Sequence, residues 1–131
     1  MKRLPPVPGG DLEYAVLVAL WDLKRASARD LYSRVGEPNG LVYTTVAKVL
    51  DRLLVKKLVT RERKGMAFIY RPGAAREVVE RARAQKTLLG FFGAEPRPAM
   101  AALVEAVESL DPDLLDELES AVRRRRRSRG P

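Results

Sequence analysis

The 131-residue chain predicts a mainly α fold with a small β-hairpin: a winged helix-turn-helix domain followed by a C-terminal helical dimerisation region. Three observations carry this. Residues 41–71, LVYTTVAKVLDRLLVKKLVTRERKGMAFIYR, pass from a helix-patterned run into two strand-like runs joined at Lys64-Gly65. The helical run has a Thr/Lys/Arg face opposite an apolar one, and the strands are basic. A recognition helix for a major groove and a hairpin for the adjoining backbone need those features in that order. Third, charge changes sign along the chain. Residues 1–73 hold 14 basic and 7 acidic side chains, residues 74–122 hold 5 and 10, and the stretch from Arg123 to Pro131 holds six arginines. The front half attracts polyanions through counterion release, whereas the acidic segment repels them.

Composition narrows the function classes. There is no cysteine and no histidine, which removes disulfides, thiolate metal sites, imidazole acid–base chemistry and histidine pH sensing. No carboxylate spacing suggests a metal site, and no cofactor is expected. An enzyme would need a lysine, tyrosine or carboxylate constellation, and none has a convincing spacing. Apolar runs fall far short of the roughly 20 residues of a spanning helix. The start, MKRLPPVPGG, lacks the hydrophobic segment of a signal peptide. The expectation is a soluble cytoplasmic protein that does not engage membrane.

Element by element, residues 1–10 hold three prolines and two glycines and read as an irregular arm. Asp11 is the expected N-cap of a first helix over about 12–23, with Glu13 in its positive first turn. Leu12, Val16, Leu20 and Leu23 form its apolar stripe, which Leu17 and Trp21 widen. Ser27-Ala28-Arg29-Asp30 has the form of a capping box and opens a second helix over about 28–35, with Leu31 and Val35 facing inward. Gly36-Glu-Pro-Asn-Gly40 reads as a break. A third helix over about 43–57 buries Val46, Val49, Leu50 and Leu53. Leu58–Arg63 and Met66–Tyr70 read as strands, and Pro72-Gly73 ends an 11–73 domain.

Beyond Gly73 the pattern is helical again. Val78, Val79, Leu88, Leu89, Phe91 and Phe92 punctuate residues 74–92. After a Gly/Pro break, Met100, Leu103, Val104, Val107 and Leu110 follow. Asp111-Pro112-Asp113 then starts a last helix with Leu114, Leu115, Leu118 and Val122 on one side. Three short helices lack the apolar surface for a core of their own. Residues 74–122 are therefore expected to pack on a second copy, leaving 123–131 as an Arg-rich tail.

The candidate contacts with double-stranded DNA follow from this layout. Thr45, Lys48 and Arg52 share one face of the third helix, Thr44 and Lys48 an adjacent one, both opposite the apolar set. Threonine can meet base edges or thymine methyls, and lysine can reach guanine or phosphate. Tyr43, Thr44 and Thr45, at the N-terminal end, would go deepest. Arg52 has a second reading, an ion pair with an acid on a neighbouring turn. On the wing, Arg61, Arg63 and Lys64 would touch backbone, or protect a strand edge by charge. Ser27 and Arg29 would meet a phosphate, or act as a plain cap. Tyr70 and Trp21 are packing residues. The run Arg123–Arg127 would add sequence-blind affinity, remain solvated, or pair with Asp113, Asp116, Glu117 and Glu119 within or between chains.

Together these pieces resemble the penicillinase and methicillin-resistance repressor family. The matching text is Leu12-Glu13 through Leu20-Trp21, Tyr43-Thr44-Thr45-Val46, Leu50-Asp51-Arg52-Leu53, Lys57-Leu58-Val59 and Gly65 through Pro72. The resemblance implies a homodimer that binds a partly palindromic operator and represses resistance or stress genes, with the C-terminal helices as the clasp. Met66 stands where the family often has arginine. The Asn-Phe bond whose cleavage releases well-known members has no counterpart, since no asparagine follows Asn39. The alternatives are a winged-helix protein-interaction module and a sequence-blind architectural DNA-binding protein.

Overall fold

A computed structural model describes residues 6–130; Met1–Pro5 of the expected arm and Pro131 lie outside the described residues. The chain divides into two compact units, residues 1–86 and 87–131. The boundary between the two units falls inside a helix.

The first unit opens with α1 (Asp11–Leu23), whose N-cap is Gly10. Asp11 is thus the first helical residue rather than the cap, and no side chain caps this end. Its charge still lies in the first turn, where the helix dipole favours it. Val16, Leu17, Ala19 and Leu20 turn to the core, while Leu23 is left exposed. A two-residue strand, β1 (Ala26–Ser27), follows; the sequence pattern gave no sign of it. It leads into α2 (Ala28–Leu31), closed by the reciprocal box expected there: Asp30 N–H donates to Ser27 Oγ and Ser27 N–H to Asp30 Oδ2, both at 3.1 Å.

The second helix departs from the expected regular span. After Leu31 the backbone widens into a π turn over Tyr32–Gly36 and then tightens into a 3-10 turn over Glu37–Asn39. Within the expected break at residues 36–40, Gly36 still follows the helical turn. A Cβ there would lie 2.6 Å from Tyr32 Cδ1 and 2.8 Å from Val46 Cγ2, so the bare backbone lets this turn approach the next helix. The chain turns at Gly40 instead, where φ is +68°.

Helix α3 (Tyr43–Val55) buries Val46, Val49, Leu50 and Leu53 completely, the four residues expected from spacing. Burial of such a side chain contributes about 1.5–3 kcal/mol each. Its C-terminus is a Schellman turn: Leu58 N–H reaches Leu53 O at 2.9 Å and Lys57 N–H reaches Leu54 O at 3.0 Å. Lys57 takes the left-handed position, φ +63°, that glycine usually fills.

The hairpin is β2 (Val59–Lys64) and β3 (Ala67–Pro72), a residue or two displaced from the expected strands. Antiparallel pairing runs from Val59↔Pro72 to Lys64↔Ala67. Gly65 and Met66 form the two-residue loop, and Gly65 supplies positive φ at its first position, as a type II′ hairpin requires. β1 adds to the free edge of β3, giving the order β1-β3-β2. Helix α4 (Arg76–Phe92) closes the unit, with Val79 and Ala82 buried.

The second unit contains the end of α4, then α5 (Pro96–Leu110) and α6 (Pro112–Arg129). Asp111 caps α6 by accepting from Asp113 N–H at 3.0 Å. The expected Arg-rich tail is a continuation of this helix as far as Arg129.

Candidate nucleic-acid interface

The exposed side of α3 is built by default: four residues fill the core with Leu54 packed beside them, leaving the opposite side outward. Tyr43, Thr44 and Lys48 are exposed, and Thr45 is half-buried at the edge. They occupy the N-terminal half of the helix, the part that enters deepest in helix-turn-helix docking. Arg29 comes from α2 to the same place, its guanidinium 4.8 Å from the centre of the Tyr43 ring. Tyr32 also meets the Tyr43 ring in an edge arrangement, with centroids 5.9 Å apart. Ser27 is bound up in the α2 capping box. Its hydroxyl accepts a backbone proton and its residue borders the same groove.

The groove, about 390 Å³, lies between α2, α3 and the wing, with Ser27, Arg29, Tyr43, Asp51, Phe68 and Tyr70 among its lining residues. On its wing side Arg61 and Arg63 stack on one aromatic ring. Their guanidinium carbons lie 4.0 and 5.4 Å from the Phe68 centroid. Strand alternation places both arginines on one face, as read from the sequence. Arg61 also donates to Tyr70 Oη at 3.4 Å and lies 3.9 Å from Asp51 Oδ1, linking the wing to α3. Lys64 is exposed where the hairpin turns, and Met66 at the tip is almost wholly so. Cations from α2, α3 and the wing (Arg29, Lys48, Arg61, Arg63 and Lys64) thus accompany hydroxyl-bearing residues on this side of the unit, with Asp51 paired to Arg61. They can hold polyanionic backbone while threonines face base edges.

Arg52 is placed by Glu13, which the sequence marked only as an acid in the positive first turn of the first helix. Its Nε donates to Glu13 Oε2 at 3.2 Å, and Lys56 Nζ donates to Glu13 Oε1 at 2.7 Å. Gly9 N–H completes the carboxylate's partners at 2.9 Å. Burial pushes the Glu13 pKa upward, but the Lys56 ammonium, the Gly9 amide and the Arg52 guanidinium outweigh it, holding the carboxyl below its ordinary 4.5. The pairing read for Arg52 is present, though with α1 rather than a neighbouring turn. Its side chain remains 55% exposed. The available signal was an acid at the head of the stripe containing Val16, Leu17 and Leu20.

The expected dimer residues divide. Val79 belongs to the core of the first unit, 1% exposed, because the start of α4 packs there; it is not surface for a second chain. Leu88, Phe92, Leu103, Val107 and Leu115 are half-buried. Val78, Leu89, Phe91, Leu110, Leu114, Leu118 and Val122 are exposed. Among the described residues of the second unit none is buried. No helix of the described residues is long and apolar enough to cross a membrane, and no acidic cluster among them could hold a metal ion.

The fold and this arrangement define a winged-helix protein of the helix-turn-helix class. Comparison with known proteins specifies the group. The profile of the family described as Penicillinase repressor matches residues 9–124, and the chain belongs to that family. Two curated relatives, each named transcriptional regulator BlaI, come from Mycobacterium tuberculosis strains CDC 1551 / Oshkosh and ATCC 25618 / H37Rv. Each is 33% identical over 114 residues, covering 86% of this chain and 81% of the relative. The solution structure of the DNA binding domain of the repressor BlaI superimposes with a TM-score of 0.51 at 20% identity. That match covers 60% of this chain and 93% of that one, and it supports the fold. The family is one of transcriptional regulators, not enzymes.

Proposed function

We propose that the chain is a transcriptional repressor that binds a partly palindromic operator as a homodimer. Each subunit lays the N-terminal half of α3 in a major groove, with Tyr43, Thr44, Thr45 and Lys48 toward the bases. Arg29 and Ser27 lie toward phosphate at one flank, and the wing residues Arg61, Arg63 and Lys64 toward phosphate at the other. Arg52, held by Glu13, presents its free guanidinium nitrogens to the backbone. The observation that carries this reading is the hydroxyl-and-lysine edge of α3, exposed opposite four wholly buried residues and bordered by arginines from two other elements.

The homodimer is supported by the second unit, which leaves every described residue at least partly exposed and many of its large apolar side chains uncovered. Linking two half-site contacts raises apparent affinity through effective concentration. Such a protein works where the chromosome is, in the cytoplasm of a bacterium.

The test is selection of bound fragments from genomic DNA, followed by titration of the recovered site and a scrambled duplex with wild-type chain and Lys48→Ala. We expect a recovered motif with two-fold symmetry. Lys48→Ala should lose about 1–3 kcal/mol of discrimination, the worth of a good base contact. Equal weakening on both duplexes would identify a sequence-blind binder. Absence of any salt-dependent DNA binding would identify a protein-interaction module.

A further inference from the structure

Helix α6 is electrically polar along its length. From Asp111 to Glu119 it holds five acids and no base; from Arg123 to Arg129 it holds six arginines and no acid. Leu114, Leu118, Val122, Arg125 and Arg129 recur at intervals of three or four residues, so they lie along one face of the helix, and Asp111, the N-cap, stands at its acidic end. That face reads acid, apolar centre, base. Leu114, Leu118 and Val122 are exposed, as are Asp111, Arg125 and Arg129. Leu115 is half-buried instead, in the segment where α6 packs on α5. Leu118 is the midpoint of the face: Leu114 and Val122 are four residues to either side of it, and Asp111 and Arg125 are seven.

We propose that α6 pairs antiparallel with α6 of a second copy of this chain, with Leu118 at the two-fold axis. The inference rests on the homodimer reading and adds the face and direction of the pairing. In that register Leu118 meets its equivalent, Leu114 meets Val122 of the second copy, and Asp111 faces Arg125 of the second copy about 10 Å from the axis along the helix, at 1.5 Å per residue. Parallel pairing would bury the same leucines but set arginine on arginine and acid on acid, and like charges on facing helices repel. The apolar centre supplies attraction, while the charge gradient selects the direction. This gives Arg125 of the arginine run a partner within the protein's own assembly rather than on DNA.

The natural absence of cysteine makes the test direct, because an introduced thiol is the only one present. Leu114→Cys, Leu118→Cys and Val122→Cys are made separately in the full-length chain and oxidised mildly, alone and in mixtures that have exchanged subunits. Leu118→Cys is expected to cross-link to itself. Leu114→Cys and Val122→Cys are expected to cross-link to one another and not to themselves. Asp111→Asn, which keeps a helix-capping side chain, and Arg125→Gln should each weaken the dimer three- to tenfold at low salt, and together no further. Self-linking of Leu114→Cys would show parallel pairing and overturn the inference. A dimer by sedimentation in which none of these cross-links forms would overturn it while leaving the homodimer standing. A chain sedimenting as a monomer would overturn both.

Discussion

Glu13 is an acid suited to the first turn of α1 yet buried, and its surroundings explain why it is tolerated. Two cations and one amide satisfy a carboxylate whose side chain is only 10% exposed. Glu13→Gln should therefore destabilise the first unit by about 1–3 kcal/mol at neutral pH, the range for loss of a charged partner in a buried network. The pH sign follows from the lowered pKa. The contribution is complete above the ordinary 4.5 and fades as pH falls through the lower folded value. Urea melts of the two proteins should thus converge in acid; a gap that stays constant into acid would refute the ionic account. Lys57 offers the opposite experiment. Its left-handed backbone is strained for any residue with a Cβ, so Lys57→Gly should raise stability by about 1 kcal/mol in the same assay.

Elements differ in what they ask of the chain. The wing must present charge at low entropic cost, and Phe68 serves as a platform on which two arginines already lie. Arg61→Ala and Arg63→Ala should each reduce the slope of log affinity against log salt by about one, without changing the preferred site. A change of preferred site would mean that the wing reads bases. How much could be seen beforehand depended on range. The buried set of α3 was legible because 3.6-residue spacing is a local property. The capping box was legible because its partners are three residues apart. The two residues of β1 are too few to show alternation, and they become a strand only because β3 has an edge to offer. The break at residues 36–40 was legible from its Gly and Pro, but the close approach of Val46 that Gly36 allows comes from a residue ten positions on and leaves no local mark. Glu13 finds Arg52 and Lys56 at separations of 39 and 43 residues, and no local pattern reports such a meeting.

At the scale of the whole molecule, the proposed repressor would read DNA with its first unit and hold its second copy with the other. The first unit has a closed core, whereas the second is short of one. Removing α6 by truncation at Asp111 should yield monomers, measured by sedimentation, with operator affinity lower by a factor of a hundred or more on the effective-concentration argument. Intact dimers after truncation would move the clasp elsewhere. A last consequence comes from two consecutive residues of α1. Glu13 grips α3 through Arg52 and Lys56, while Tyr14 donates to Glu80 of α4 at 2.6 Å, beneath the Arg83 guanidinium. The rod that would touch DNA and the rod that leads out of the domain are thus fastened to one helix at points a single peptide bond apart. A shift of α4 that pulls on Tyr14 would therefore act on α1 one residue from the carboxylate that holds Arg52 and Lys56.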